Sequence, residues 1–364
     1  MITIYQNAHL FSPDDRGRKD ILVVNGTIEE TADRINLTGV ACKTIDLEGM
    51  ITVPGFIDKH VHVTGGGGEF GFESFARPVE AEELLAAGTT TVVGLLGTDN
   101  VCKDLHDLYA KTKQLDKRIS AWMLTGSYAY PSKTITGRVD ADIALIDKVV
   151  GCKLALSDDR GSFPTDLELK RLLSEVWRGG MTGGKAGILH IHLGTLETRI
   201  GQIVDICRHN PRLLPHVSLT HCAREKSLFQ ECIAFAKSGG TLDITTGGSR
   251  FVEPHEALRL ALESGTPLDR LSFSSDGHGG IRHIDPVTGV ETYGTSSVES
   301  NLAAWRNVVR EGILSIPDAL RVVSTNPANE LKLSKKGRLE PGSDADMVVF
   351  DDALEIRHVI AKGC

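Results

Sequence analysis

His60 and His62 stand one residue apart at the end of an apolar run that begins at Ile51. In an extended strand residues i and i+2 share a face, so the two imidazoles can be offered side by side to a metal ion. Gly65 to Gly68 follow, a run whose backbone can approach a ligand closely, and then Glu69. Later apolar segments carry or end in other side chains that bind metals or move protons: Tyr128, Lys153, His190 and His192, His221 and Asp276. Asp158, Asp159 and Arg160 come just after the Lys153 segment, and Arg224 just after His221. A lone histidine or aspartate at a strand end is ordinarily a satisfied core residue or a turn former. A lysine inside an apolar strand is harder to satisfy, because an unpaired buried ammonium is costly. Cys152 and Cys222 adjoin two of these positions, but strand neighbours point to opposite faces, so they read as small core residues.

Eight apolar stretches position these groups: 52–62, 89–97, 119–128, 151–157, 187–194, 217–223, 241–246 and 271–276. Amphipathic segments fall between them, among them 78–87, 103–114, 166–178, 228–238 and 255–263, with Gly88, Gly239 and Gly265 at helix ends. Eight such strand-helix units predict an α/β chain with a closed (β/α)8, TIM-like barrel over 51–332. Active sites of that fold lie at the C-terminal ends of the strands, where the imidazoles, the lysine and the aspartate converge. Residues 1–50 hold short strand-like pieces and an Asn25-Gly26 hairpin signal, and residues 333–364 hold two more. Neither end can build its own core, so both are expected to pair into one small β-sandwich domain.

The chain has 364 residues, a formal net charge of −8 and no Lys/Arg block, which gives no reason to expect nucleic acid or an anionic membrane as partner. Its 7 cysteines form no C-x-x-C pair and read as reduced thiols of a cytoplasmic protein. Met1 to Tyr5 alternates like a strand rather than a secretory signal, and no apolar run is long enough to predict a membrane span.

Pro54-Gly55-Phe56-Ile57-Asp58 leading into His60-x-His62, a lysine on the fourth strand, single histidines on the fifth and sixth and an aspartate on the eighth resemble the amidohydrolase superfamily. Within it, 62–69 (HVTGGGGE), 93–99 (VGLLGTD), 121–126 (AWMLTG), 134–137 (TITG), Ser157-Asp158-x-Arg160 and 273–277 (FSSDG) resemble the isoaspartyl, or β-aspartyl, dipeptidases over almost the whole chain.

That resemblance implies two Zn²⁺ per chain: His60 and His62 on the first, His192 and His221 on the second, Asp276 on the first, and a carbamylated Lys153 bridging both together with a hydroxide. Alternation does not choose between His190 and His192; the family's His-x-Gly spacing selects His192. The implied reaction is hydrolysis of β-aspartyl dipeptides by the metal-bridging hydroxide, with Asp276 as general base and acid and Tyr128 polarising the scissile carbonyl. Such a substrate carries one ammonium and two carboxylates, which Glu69 and the pair Arg160 and Arg224 would meet, with Gly67, Thr98 and Gly280 completing the substrate contacts. The family often has serine where this chain has Gly280, so a hydroxyl contact is missing or is supplied by His278, His283 or water. The alternatives are an amidohydrolase acting on cyclic amides or N-acyl amino acids, and a non-catalytic scaffold; against the latter, all six ligand positions are filled. The expected partners are the dipeptide substrate and further copies of the chain in a homo-oligomer.

Overall fold

In the computed structural model, which describes residues 1–285 and 287–364, the chain opens with five strands: β1 (Ile2–Phe11), β2 (Asp15–Val24), β3 (Thr27–Ala32), β4 (Lys43–Asp46) and β5 (Ile51–Pro54). The β2–β3 turn uses Asn25 and Gly26, both at positive φ (49° and 85°), the geometry that matches strand twist in a tight hairpin.

Eight parallel strands follow: β6 (Phe56–Val61), β7 (Thr89–Gly94), β8 (Ser120–Gly126), β9 (Val149–Leu156), β10 (Ile188–Leu193), β11 (Val217–Thr220), β12 (Thr241–Thr245) and β13 (Leu271–Ser274). They hydrogen-bond in chain order, β6 through β13. A single parallel bridge between Val61 and Gly277, with Ser275 N donating to Asp58 Oδ1 at 3.2 Å, brings the last strand back to the first. All eight strands expected from the sequence are present. The first is cut in two, because Ile51–Pro54 pairs with β1 in the terminal sheet and only Phe56 onward joins the barrel. Gly55 makes the junction: a Cβ there would lie 2.1 Å from Thr90 Oγ1.

The outer layer consists of α1 (Ala81–Ala86), α2 (Leu105–Leu115), α3 (Val139–Leu145), α4 (Asp166–Gly183), α5 (Gly201–His209), α6 (Lys226–Lys237), α7 (Pro254–Glu263) and α8 (Ser300–Arg310). Local chemistry sets their ends. At α4, Thr165 accepts from Glu168 N while Glu168 reaches back to Thr165 N, and Gly184 closes the helix at φ 64°. Between β13 and α8 an antiparallel hairpin rises, β14 (Gly280–Ile284) and β15 (Glu291–Thr295), which the sequence reading lacks.

After α9 (Ile316–Leu320) and α10 (Asn326–Glu330), β16 (Met347–Phe350) and β17 (Ile356–Ile360) return to the terminal sheet. Its order is β17-β16-β5-β1-β2-β3, with β4 on β1. Ile28 N donates to Ser343 O and Ala345 N to Gly26 O, both at 2.8 Å, so opposite sides of this domain meet. They enclose Tyr5, Leu10, Ile21, Val23, Ile28, Met347, Val349 and Ile360, a core drawn from both termini.

Strand alternation sorts the barrel side chains. Cys152, Leu154 and Leu156 of β9, and Leu189, Ile191 and Leu193 of β10, join the core beneath the helices. Lys153, His190 and His192 therefore face the barrel axis. Ile57, Val93, Leu124, Val150 and Ile188 form a separate apolar cluster with Ala328 and Leu331 at the C-terminal end of α10.

Candidate active site

The proposed metal ligands sit at the C-terminal ends of their strands or just beyond them, except Lys153, which lies three residues before the end of β9. In β6 the register with β7 slips between Asp58 and Val61. The slip turns both Lys59 and His60 toward the axis while Val61 and Val63 join the outer core, leaving His60 and His62 on one side. His221 follows β11 directly and Asp276 comes two residues after β13, and both have positive φ, 62° and 55°. Left-handed backbone is uncommon at a non-glycine residue, and here it falls on two residues of one cluster.

The cluster is tight and buried. Nε2 of His60 and of His62 lie 3.1 and 3.4 Å from Asp276 Oδ1. Lys153 Nζ lies 3.1 Å from His60 Nε2. Donor atoms of His60, His221 and Asp276 all fall within 4.8 Å of one another, a group able to hold a metal ion. The His192 ring packs edge-on to that of His221 at 4.2 Å between centroids, and the Tyr128 hydroxyl is 2.7 Å from His192 Nδ1.

Burial holds the imidazoles of His192 and His221 well below the usual histidine range, and lowers His60 to about 4. Neutral imidazoles are the form that binds metal. Burial opposes ionisation of Asp276, yet the surrounding imidazoles of His221 and His60 hold it well below the normal carboxylate range. Burial also pushes the Lys153 amine down to about 7, against the pull of Asp276 and Asp243. The donor set fits a zinc-class ion on a further observation: His221 Nδ1 is spent on Thr245 Oγ1 at 2.8 Å, while its buried Nε2 has no hydrogen-bond partner.

The residues expected to hold substrate surround this cluster. Thr98 Oγ1 donates to Gly67 O at 3.3 Å and to Glu69 Oε2 at 3.4 Å. Glu69 Oε1 lies 3.7 Å from Arg160 Nη1, and the Arg160 guanidinium sits 5.3 Å over the Tyr128 ring. Arg224 Nη1 is 3.8 Å from Asp158 Oδ2, and its buried Nε has no partner. Gly280 touches the same loop: a Cβ there would lie 2.9 Å from both Glu69 Oε1 and Gly67 Cα. A serine would need the 67–69 backbone to retreat, which accounts for glycine at this position. His278 does not supply the missing hydroxyl contact, since its Nδ1 donates to Arg77 O at 2.8 Å and its Nε2 faces Glu83; His283 is exposed on the hairpin. The hairpin grips the Glu69 loop through Phe70, whose ring stacks on Tyr293 at 5.5 Å and lies under the Arg282 guanidinium at 4.9 Å.

Three features escaped the sequence reading. His190, left open there, lies between His60 Nδ1 (3.0 Å) and Ser218 Oγ (2.9 Å). Lys59 pairs inside the barrel with Glu330 at 2.5 Å and Asp243 at 3.5 Å. Asp158, quoted there in a motif but given no role, accepts from Arg160 through both oxygens. Lys59 shares the inner face with Ile57, and the slip in β6 then turns His60 inward as well, so alternation read back from His60 and His62 hides Lys59.

The family model for the amidohydrolase family matches residues 51–364. The chain belongs to that family, and on that ground it is a hydrolase. Among solved structures it is similar to the beta-aspartyl dipeptidase of Fervidobacterium islandicum AW-1, at 36% identity, a TM-score of 0.92 and coverage of 100% of this chain and 96% of that one. A complex of the same dipeptidase with β-Asp-Leu is 37% identical, with the same TM-score and coverage. Curated relatives include a dihydroorotase of Elusimicrobium minutum, 24% identical over 96% of this chain and 88% of the relative. A deacetylase of Brucella anthropi is 25% identical over 91% and 79%.

Proposed function

We propose that this hydrolase is a binuclear zinc dipeptidase that cleaves β-aspartyl dipeptides. The observation that carries the reading is the set of charged side chains beside the imidazole cluster: the carboxylate Glu69 and two guanidiniums, Arg160 and Arg224, both anchored on the buried Asp158, with the Arg224 Nε buried and without a partner. A β-aspartyl dipeptide offers the complementary set, one α-ammonium and two carboxylates. The likeness to a beta-aspartyl dipeptidase at 36–37% identity supports the same substrate class.

In this reading His60, His62 and Asp276 would hold one zinc and His192 and His221 the other. Lys153 would join them as a carbamate, its neutral amine adding to CO₂ and losing a proton; the product would be an anion where an ammonium would repel metal. Bound there, such ions would polarise the scissile carbonyl and lower the pKa of a water. The chain's own groups do the rest. Asp276 takes the proton of the attacking water at its carboxylate and returns it to the leaving amine. Tyr128 donates its hydroxyl hydrogen to the carbonyl oxygen as charge develops; burial raises its pKa, so it stays a donor. Glu69 receives the ammonium, with the Thr98 hydroxyl, which also reaches the Gly67 carbonyl, beside that carboxylate and Gly280 leaving it room.

The test is turnover of β-Asp-Leu by zinc-loaded wild type and by Asp276→Asn. Wild type should hydrolyse it, and the variant should lose about a thousandfold in kcat, on the order of 4 kcal/mol, with metals retained. Cleavage of dihydroorotate or N-acyl amino acids in place of the dipeptide would move the assignment to those substrates.

A further inference from the structure

We infer that Asp158 is a positioning residue that ties the metal ligand His192 to the two substrate-binding arginines, so that one carboxylate sets both the tautomer of the ligand and the place of the guanidiniums. This rests on the function proposed above and goes beyond its set of contacts.

Asp158 lies just past the end of β9, at 6% exposure, and its two oxygens serve four groups. Oδ1 accepts from Arg160 N at 2.9 Å and Nε at 2.8 Å. Oδ2 lies 2.8 Å from Arg160 Nη2, 3.1 Å from His192 Nε2 and 3.8 Å from Arg224 Nη1. Both oxygens accept from Arg160 and a second guanidinium, Arg224, stands beside Oδ2, the surroundings of a carboxylate that only accepts. An acceptor 3.1 Å from His192 Nε2 requires the proton on Nε2. Arg160 Nη2 is also 3.2 Å from that nitrogen, but both groups are donors and both are aimed at Oδ2. The lone pair of His192 is thereby assigned to Nδ1, the nitrogen on the Tyr128 side. A carboxylate that fixes the far nitrogen of a metal-bound histidine typically accounts for 10–100-fold in metal affinity. Asp158 does this while holding a guanidinium bidentately, so the arginines reach substrate from an anchor shared with the metal centre.

The experiment is chelator competition for Zn²⁺ on wild type, Asp158→Asn and Arg160→Gln, with KM and kcat for β-Asp-Leu measured on the same samples. Asp158→Asn should weaken one of the two zinc sites by roughly 10–100-fold and raise KM. Arg160→Gln should raise KM and leave zinc affinity within about twofold of wild type. Asp158→Asn with wild-type zinc affinity would overturn the inference, whatever its KM. Should that variant not fold, ¹⁵N-histidine NMR of the wild-type zinc protein decides: His192 protonated at Nε2 supports the inference, and protonated at Nδ1 overturns it. A wild type that binds zinc but leaves β-Asp-Leu intact would instead refute the proposed substrate, while the affinity comparison still tests Asp158.

Discussion

Lys59 and Glu330 meet at 2.5 Å inside the barrel, 271 residues apart in the chain, and pin α10 to the first barrel strand. Lys59 is almost wholly buried, and Asp243 lies 3.5 Å away on β12. Burial would lower the Lys59 pKa, but Asp243 and Glu330 together raise it, so the ammonium persists. Removing one partner of such a pair strands a charge, at a cost of about 3–5 kcal/mol. Lys59→Met should therefore destabilise strongly. Lys59→Met with Glu330→Leu should recover much of the loss, since Asp243 keeps the hydroxyls of Thr220, Ser272 and Ser274 as donors. Urea unfolding of both variants checks this; equal losses in single and double variants would contradict it.

Asp58 makes a pH-dependent prediction. It is fully buried, its Oδ1 accepts from His60 N and Ser275 N at 3.2 Å, and its Oδ2 has no partner. Burial raises its pKa to about 7, with the hydrogen bonds to Ser275 and His60 opposing. The folded chain therefore binds a proton that the unfolded chain releases between about pH 4 and 7, and stability falls as pH rises through that window. Asp58→Asn removes the penalty. Relative to wild type it should gain on the order of 2–3 kcal/mol more at pH 8 than at pH 5, measured by denaturant unfolding of metal-free protein. A gain that is the same at both pH values would contradict the burial argument.

Much of this was readable from the residues. Strand count, barrel, the domain shared by the two ends and the converging imidazoles all follow from apolar periodicity and strand-end chemistry. Contacts that depend on register did not follow. The slip between Asp58 and Val61 puts Lys59 and His60 on one side, and no alternation rule announces it. His190 and His192 share a face, and only the neighbouring strands separate them: Ser218 of β11 and His60 take the first, Asp158 and Tyr128 the second. The hairpin 280–295 was missed because its strands are short and mostly exposed, without the alternating burial that marks a strand.

The metal reading predicts about two zinc-class ions per chain by elemental analysis after zinc reconstitution. Lys153→Ala should lose metal and activity together, because the bridging anion is gone, and acetate or propionate should restore part of both by standing in for the carbamate. Two ions bound tightly by Lys153→Ala without added acid would contradict the role of that lysine.

The central claim is recognition of a β-aspartyl dipeptide by one carboxylate and two guanidiniums around the metal cluster. In an α-linked dipeptide the ammonium moves one carbon nearer the scissile carbonyl, and Glu69 and the arginines cannot all be satisfied with that carbonyl at the cluster. N-acetylation removes the ammonium and takes from Glu69 the substrate's cation. Sites built for such polar pairs discriminate by about 10⁴. The decisive measurement is kcat/KM for β-Asp-Leu, α-Asp-Leu and N-acetyl-β-Asp-Leu in the zinc-loaded wild type and in Glu69→Gln. The account predicts strong preference for free β-Asp-Leu in wild type and a collapse of that preference in Glu69→Gln. Equal cleavage of the acetylated substrate by wild type, or unchanged rates for all three in Glu69→Gln, would contradict it.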